Sequence, residues 1–220
     1  MTNKAFIFDL DGVIVDTAKY HFLAWQKIAS DLGIEFTPEH NEDLKGVSRV
    51  RSLDIILKLG NIVATDENKN KWLKQKNEDY LGYIEHMDDT EILPGVINIL
   101  EYIKEKKQVI ALGSASKNAR PILEKVKILH LFDVIVDGND VTNAKPDPEV
   151  FTRAAQLLKI SNHHAMVFED SVAGIQAANS ANMTSIGIGD AKILYEAKYN
   201  FKDFTFMDTS FIEAFINKIE

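Results

Sequence analysis

Four consecutive apolar residues, Ala5-Phe6-Ile7-Phe8, run straight into two carboxylates one position apart, Asp9 and Asp11, followed by Gly12 and then by Asp16-Thr17. An apolar run of this length without polar alternation predicts a buried strand. Packing does not explain why it ends in two acids, because an ionised carboxylate at a buried strand terminus is costly unless a cation or a reacting group sits beside it. An Asx turn suits an isolated pair of this kind. The polar residues farther along the chain weigh against that reading.

Short apolar runs alternate with helical periodicity through the second half of the chain, which predicts parallel strands joined by crossover helices. Strands are expected at residues 5–9, 108–113, 134–137, 165–169 and 184–187. Between them Val96, Ile99, Leu100 and Ile103 share one helical face, as do Val150, Phe151, Ala154 and Leu158, and Ile175, Ala178 and Ala181. The expected fold is α/β, a doubly wound, mainly parallel Rossmann-like core sheet. Residues 17–90 break the rhythm, with helical patterning over 21–32, 49–59 and 68–83 and no apolar run that reads as a strand. They predict an inserted α-helical cap domain, with residues 1–16 and 91–220 forming the core and Pro94-Gly95 marking the return. Both linkers would leave close to Asp9 and serve as hinges.

The 25 basic and 33 acidic residues give a net charge of −8, which argues against a general nucleic-acid or anionic membrane surface. A small anionic substrate would need a local basic pocket. With no cysteine there is neither a disulfide framework nor a thiolate metal site. No apolar stretch approaches the ~20 residues of a membrane span, and the first strand leaves no room for a leader. A cytoplasmic protein is expected, and a monomer, since no extended apolar interface is evident.

In an open α/β sheet the site lies at the carboxyl ends of the strands, so residues that follow the apolar runs should converge: Asp9 and Asp11; Ser114 to Asn118; Lys145-Pro146; Glu169-Asp170. The motif Asp-x-Asp-Gly-x-x-x-Asp-Thr after a strand resembles the nucleophile loop of the haloacid dehalogenase-like phosphotransferases. That resemblance implies that Asp9 attacks phosphorus and is phosphorylated, while Asp11 acts as general acid and base and its carbonyl ligates a metal. The two carboxylates can divide these roles only if their surroundings separate their pKa values. Ser114 and neighbouring amides would hold the transferring phosphate at the start of a helix near Lys117, although Ser114 equally suits a plain N-cap. Lys145, held extended before Pro146, would aim its ammonium at that phosphate or at Asp9. Asp9, Asp11, Glu169 and Asp170 would supply oxygens to Mg²⁺, with Glu169 either a ligand or the residue that orients Lys145. Asp147 suits an N-cap, and Gly174 close helix packing.

Four further segments narrow the resemblance: Thr17-Ala18-Lys19-Tyr20-His21-Phe22 through Trp25, Leu44-Lys45-Gly46-Val47-Ser48-Arg49, Lys74-Gln75-Lys76-Asn77, and Gly113-Ser114-Ala115-Ser116-Lys117-Asn118. They are similar to segments of the β-phosphoglucomutase family, and the likeness extends over essentially the whole chain. It implies an isomerase that interconverts β-D-glucose 1-phosphate and glucose 6-phosphate through β-glucose 1,6-bisphosphate as intermediate and activator. Arg49, Ser116, Lys117 and Asn118 would hold the phosphate that is not being transferred. Lys45, Gly46 and Val47 would cover the sugar, with Thr17, Trp25, Ser52 and Ala115 around it. His21 and Lys76 would couple sugar binding to cap closure. Plainer readings stand beside these: His21 and Trp25 as core packing, Lys45 and Arg49 as solvated charges, and Lys76 as part of a polar helix face. A Mg²⁺-dependent sugar-phosphate or nucleotide phosphatase is the alternative enzyme, and a catalytically silent binding module the third reading.

Overall fold

The computed structural model describes residues 3–218; residues 1, 2, 219 and 220, the outermost positions of the expected core, lie outside the described residues. Six parallel strands form one sheet in the order β3-β2-β1-β4-β5-β6. They are β1 (Ala5–Phe8), β2 (Val109–Gly113), β3 (Val134–Val136), β4 (Ala165–Glu169), β5 (Thr184–Ile188) and β6 (Tyr199–Phe201). β1 lies at the centre, Phe8 opposite both Leu112 and Phe168.

The side-chain alternation of β1 shows why the run has no polar member. Phe6 and Phe8 enter one apolar cluster and Ala5 and Ile7 the other, so both faces are covered. The first cluster includes residues of α5 (Val96–Glu105), α6 (Ala119–Lys125) and α9 (Thr209–Ile216). The second includes α7 (Glu149–Leu158) and α8 (Val172–Ser180). Since the chain winds outward from β1 first toward β3 and later toward β6, a crevice opens beyond the carboxyl ends of β1 and β4.

Between β1 and β2 the chain is helical: α1 (Ala18–Asp31), α2 (Pro38–Glu42), α3 (Arg49–Leu59) and α4 (Asp66–Tyr83). Thr37, Ser48 and Thr65 cap α2, α3 and α4 by accepting from His40, Arg51 and Asn68 backbone N–H groups. Trp25, Ile28, Leu53, Ile56 and Leu57 give these helices a core of their own. The two linkers run side by side, with Asp16 N–H donating to the Glu91 carbonyl at 2.9 Å and Leu93 N–H to that of Ile14 at 3.0 Å.

Several boundaries differ from expectation. β2 starts at Val109 because Gln108 uses its side chain to accept from Lys4 N–H and to donate to the Lys106 carbonyl. β1 ends at Phe8, although Asp9 N–H still donates to the Phe168 carbonyl at 3.0 Å. β3 stops at Val136 and β5 runs on to Ile188, while α1 and α4 start earlier than their periodicity suggested. α2, β6 and α9 were not anticipated. β6 is a three-residue edge strand with Tyr199 largely exposed, so it carries no apolar run. For α9 a signal was present, since Asp208 caps it and Phe211, Ile212, Phe215 and Ile216 share a face.

Candidate active site

At the crevice the Lys145 ammonium lies 2.6 Å from Asp9 Oδ1 and 2.5 Å from Glu169 Oε1, all three side chains being buried. Lys145 precedes Pro146 through a cis peptide bond. Glu169 spends its other oxygen on Ser171, accepting from its N–H at 3.0 Å and its hydroxyl at 2.8 Å. Both oxygens of Glu169 are therefore engaged. Asp9, Glu169 and Asp170 nevertheless bring carboxylate oxygens within 4.8 Å of one another. Two glycines make this crowding possible. A Cβ on Gly174 would lie 1.9 Å from the Glu169 carboxyl, so its role is to admit that carboxylate, where close helix packing was expected. A Cβ on Gly12, at φ +79°, would lie 2.1 Å from Asp170 Oδ2.

Burial pushes Asp9 up to about 7 against the pull of Lys145, with Glu169 and Asp11 adding to the rise. Burial likewise raises Asp170 well above the ordinary carboxylate range, reinforced by Glu169 and Asp9. For Asp11 burial also works upward, but hydrogen bonds from His21 and Thr17 and the charges of His21 and Lys76 outweigh it, and the net displacement is downward. The two carboxylates are separated, as divided roles require, yet in the order opposite to a charged nucleophile and a protonated acid. Burial of the acid cluster lifts Asp9 more than the Lys145 charge lowers it, whereas the donors and charges around Asp11 outweigh burial there. A divalent cation beside Asp9 would pull it down.

Asp11 takes the Thr17 hydroxyl on Oδ1, and His21 Nε2 lies 3.5 Å from the same oxygen. His21 Nδ1 meets the Lys76 ammonium at 2.7 Å. Lys76 is only 2% exposed, with its ammonium 5.1 Å from the Trp25 ring centre and 4.6 Å from that of Tyr80, so a polar helix face is not its setting. Burial, aided by Arg49, pulls Lys76 down to about 7.

A cavity of about 400 Å³ opens above these groups, within the ~300–1,000 Å³ typical of small-molecule sites. It is lined by Asp9, Asp11, His21, Trp25, Lys45, Gly46, Val47, Arg49, Ser52, Lys76, Ser114, Ala115, Ser116, Lys117, Lys145 and Asp170. Three expected residues are not in its wall. Glu169 lies behind Lys145. Thr17 is buried, its hydroxyl on Asp11. Asn118 donates to Asn77 Oδ1 at 3.1 Å, a side chain of α4. Ser52 reaches the wall, but its hydroxyl proton goes to the Ser48 carbonyl. Trp25 serves both as wall and as core.

The Ser114 loop is also built differently. Ser114 Oγ accepts from Ser116 N–H at 3.1 Å and Ser116 Oγ from Asn118 N–H at 3.2 Å, two successive hydroxyl-closed turns that delay the helix to Ala119. Ser114 is thus no helix cap, and two of the loop amides are already engaged. Asp147 accepts from Glu149 N–H at 2.9 Å, as a cap would, although the helix is flanked by Pro148. Asn41, Thr142 and Asn143 line the cavity without having been singled out. Thr142 and Asn143 follow the β3 strand and so met the strand-end rule; Asn41, on the unforeseen α2, offered no signal. The chain between β1 and β2 meets the crevice where Lys45 Nζ lies 3.8 Å from Asp170.

A family profile described as haloacid dehalogenase-like hydrolase matches residues 6–188. The β-phosphoglucomutase of Bacillus subtilis (strain 168) is 42% identical over 191 residues, 86% of this chain and 84% of that protein. A phosphorylated carbohydrates phosphatase of Thermotoga maritima is 33% identical over 202 residues, 88% of this chain and 91% of that one. Among solved structures, a β-phosphoglucomutase from Clostridium difficile superposes with a TM-score of 0.93 at 40% identity, covering 99% of this chain and 98% of that chain.

Proposed function

The chain belongs to the haloacid dehalogenase-like hydrolases, and we propose that within them it is a β-phosphoglucomutase interconverting β-D-glucose 1-phosphate and D-glucose 6-phosphate. Phosphorylated Asp9 gives its phosphoryl group to the C6 hydroxyl of β-glucose 1-phosphate, whose proton passes to Asp11. The β-glucose 1,6-bisphosphate so formed turns round in the cavity. The Asp9 carboxylate then attacks the C1 phosphorus, the bond from phosphorus to the C1 oxygen breaks, and that oxygen takes the proton back from Asp11. Glucose 6-phosphate leaves and phospho-Asp9 is restored.

The observation that carries a mutase over a phosphatase is that Arg49 and Lys117 line the cavity without an ion-pair partner among the described residues, while Lys145 already serves Asp9. Unpaired cations in a cavity suit a second phosphate. Ser116 joins them, and Lys45, Gly46, Val47, Trp25, Ser52 and Ala115 surround the sugar. A hard cation such as Mg²⁺ fits the all-oxygen set, held by Asp9, Asp170 and the Asp11 carbonyl, because both Glu169 oxygens are committed elsewhere. When bound it would neutralise charge on the transferring phosphoryl group. Lys145 holds the other side of Asp9, and Glu169 holds Lys145. His21 and Lys76, both on cap helices, link closure to the placing of Asp11, and closure keeps water from the phosphoaspartate. A cytoplasmic setting and a small phosphosugar as sole partner accord with the net charge of −8 and the lack of cysteine.

The test supplies β-glucose 1-phosphate, Mg²⁺ and a trace of the bisphosphate and follows both products. Glucose 6-phosphate is expected to form in large excess over free phosphate. Stoichiometric free phosphate would make the protein a phosphatase.

A further inference from the structure

The phenol of Tyr80 on α4 is completely buried, and its hydroxyl has no hydrogen-bond partner. An orphaned hydroxyl in such a place costs about 1–3 kcal/mol, and phenylalanine would fill the same space without that penalty. The packing of the ring is accounted for: it stacks on His21 with centroids 4.2 Å apart at 28°, and the Lys76 ammonium lies 4.6 Å from its centre. The hydroxyl is not. Its polar neighbour is Thr17, whose own proton goes to Asp11. A hydroxyl that donates its proton still has lone pairs to offer, and Tyr80 is the donor at hand.

We propose that Tyr80 is a positioning residue for Asp11: with substrate bound, its hydroxyl donates to Thr17 Oγ1, committing the Thr17 proton to Asp11 and holding that carboxylate at the oxygen that gains or loses the proton. The arrangement would be a three-member chain, Tyr80 to Thr17 to Asp11, braced from the side by the ring's stack on His21. It needs only a small adjustment of Thr17 against Tyr80 as the cap settles on a ligand. The proposal rests on the reading of Asp11 as the proton carrier.

The test exploits the leaving group. Phosphorylation of Asp9 by β-glucose 1,6-bisphosphate expels a sugar oxygen that must be protonated, whereas acetyl phosphate expels acetate, which needs no proton. In Tyr80→Phe, assayed as the full chain with Mg²⁺, the rate from the bisphosphate should fall about tenfold, the worth of one net hydrogen bond. The rate from acetyl phosphate and the KM for β-glucose 1-phosphate should stay within about twofold, and the melting temperature should not drop. Unchanged rates with both donors, or equal losses with both, would reduce Tyr80 to packing and overturn the proposal. Asp11→Asn is measured alongside. If it shows the leaving-group dependence and Tyr80→Phe does not, the Tyr80 assignment alone fails; if Asp11→Asn lacks it, the reading of Asp11 fails and takes Tyr80 with it.

Discussion

The Lys76 ammonium lies 2.7 Å from Nδ1 of His21, one on α4 and the other on α1. With the ammonium donating, Nδ1 is an acceptor and the imidazole proton sits on Nε2, which faces Asp11 Oδ1 at 3.5 Å. Burial pulls the His21 pKa down, helped by the Lys76 charge, while Asp11 pulls it the other way. The orientation of the candidate acid–base group is thereby set from α1 and α4.

Such a buried ammonium weakens the fold. Burial depresses Lys76 to about 7 from an ordinary 10.5, so between these values the unfolded chain binds the extra proton and stability rises with pH. Below about pH 7 the full penalty is present. Lys76→Met should therefore be more stable than the parent by ~1–3 kcal/mol at pH 6.5, with the gap closing towards pH 10.5, while turnover falls. Urea melts at several pH values read this directly; a parent protein more stable than the variant at pH 6.5 would refute it.

Gly174→Ala drives a methyl group into the Glu169 carboxyl, 1.9 Å away. Glu169 must move, and Lys145 loses a buried partner. A loss of about 2–4 kcal/mol in stability is expected, with a matching fall in activity. Gly82→Ala is the counterpart. Nothing lies within 4 Å of the added Cβ near the end of α4, so it should stabilise by ~0.5–1 kcal/mol. Equal effects of the two substitutions on thermal melting would contradict this account.

Asp9→Asn removes the charge of the oxygen proposed to attack phosphorus and leaves Lys145 paired with Glu169. Turnover should fall by about 10⁴-fold or more, no acid-stable protein-bound phosphate should form, and the melting temperature should stay within about 5 °C of the parent's. Phosphate label recovered on a peptide without position 9 would assign the nucleophile elsewhere.

Arg49→Ala takes one unpaired cation from the cavity wall while leaving Asp9, Lys145 and Glu169 untouched. Conversion of the bisphosphate to glucose 6-phosphate should drop about 10- to 100-fold, the scale of a charge-assisted contact, and free phosphate should rise as a share of product. An unchanged product ratio would separate Arg49 from the second phosphate.

Asp9, Asp11, Lys145 and Asp170 were legible because each follows a strand, and the end of a parallel strand is where polar side chains gather whatever the loops do. α3 was legible to the residue, its apolar spacing and Ser48 cap being local. β6 was not: three edge residues with an exposed tyrosine carry no pattern. Asn41 and Tyr80 were missed for another reason. A polar side chain on a helix looks the same in a sequence whether it faces solvent or a cavity, and only the tertiary packing, α1 against α4 among it, turns these two inward.

By itself the order of residues determined a covered parallel sheet with a helical insertion and a carboxylate at the end of its first strand, since periodicity and strand-end chemistry act over a few neighbours. Tertiary structure alone decided that Glu169 serves Lys145 and Ser171, that Asn118 bonds Asn77, and that the Tyr80 hydroxyl lies unpaired beside Thr17. Apart from Ser171, next but one to Glu169, these partners lie 24 to 63 positions apart, as 169 from 145, 118 from 77 and 80 from 17. Which side chain meets which at that range is settled by how the layers pack and what they desolvate.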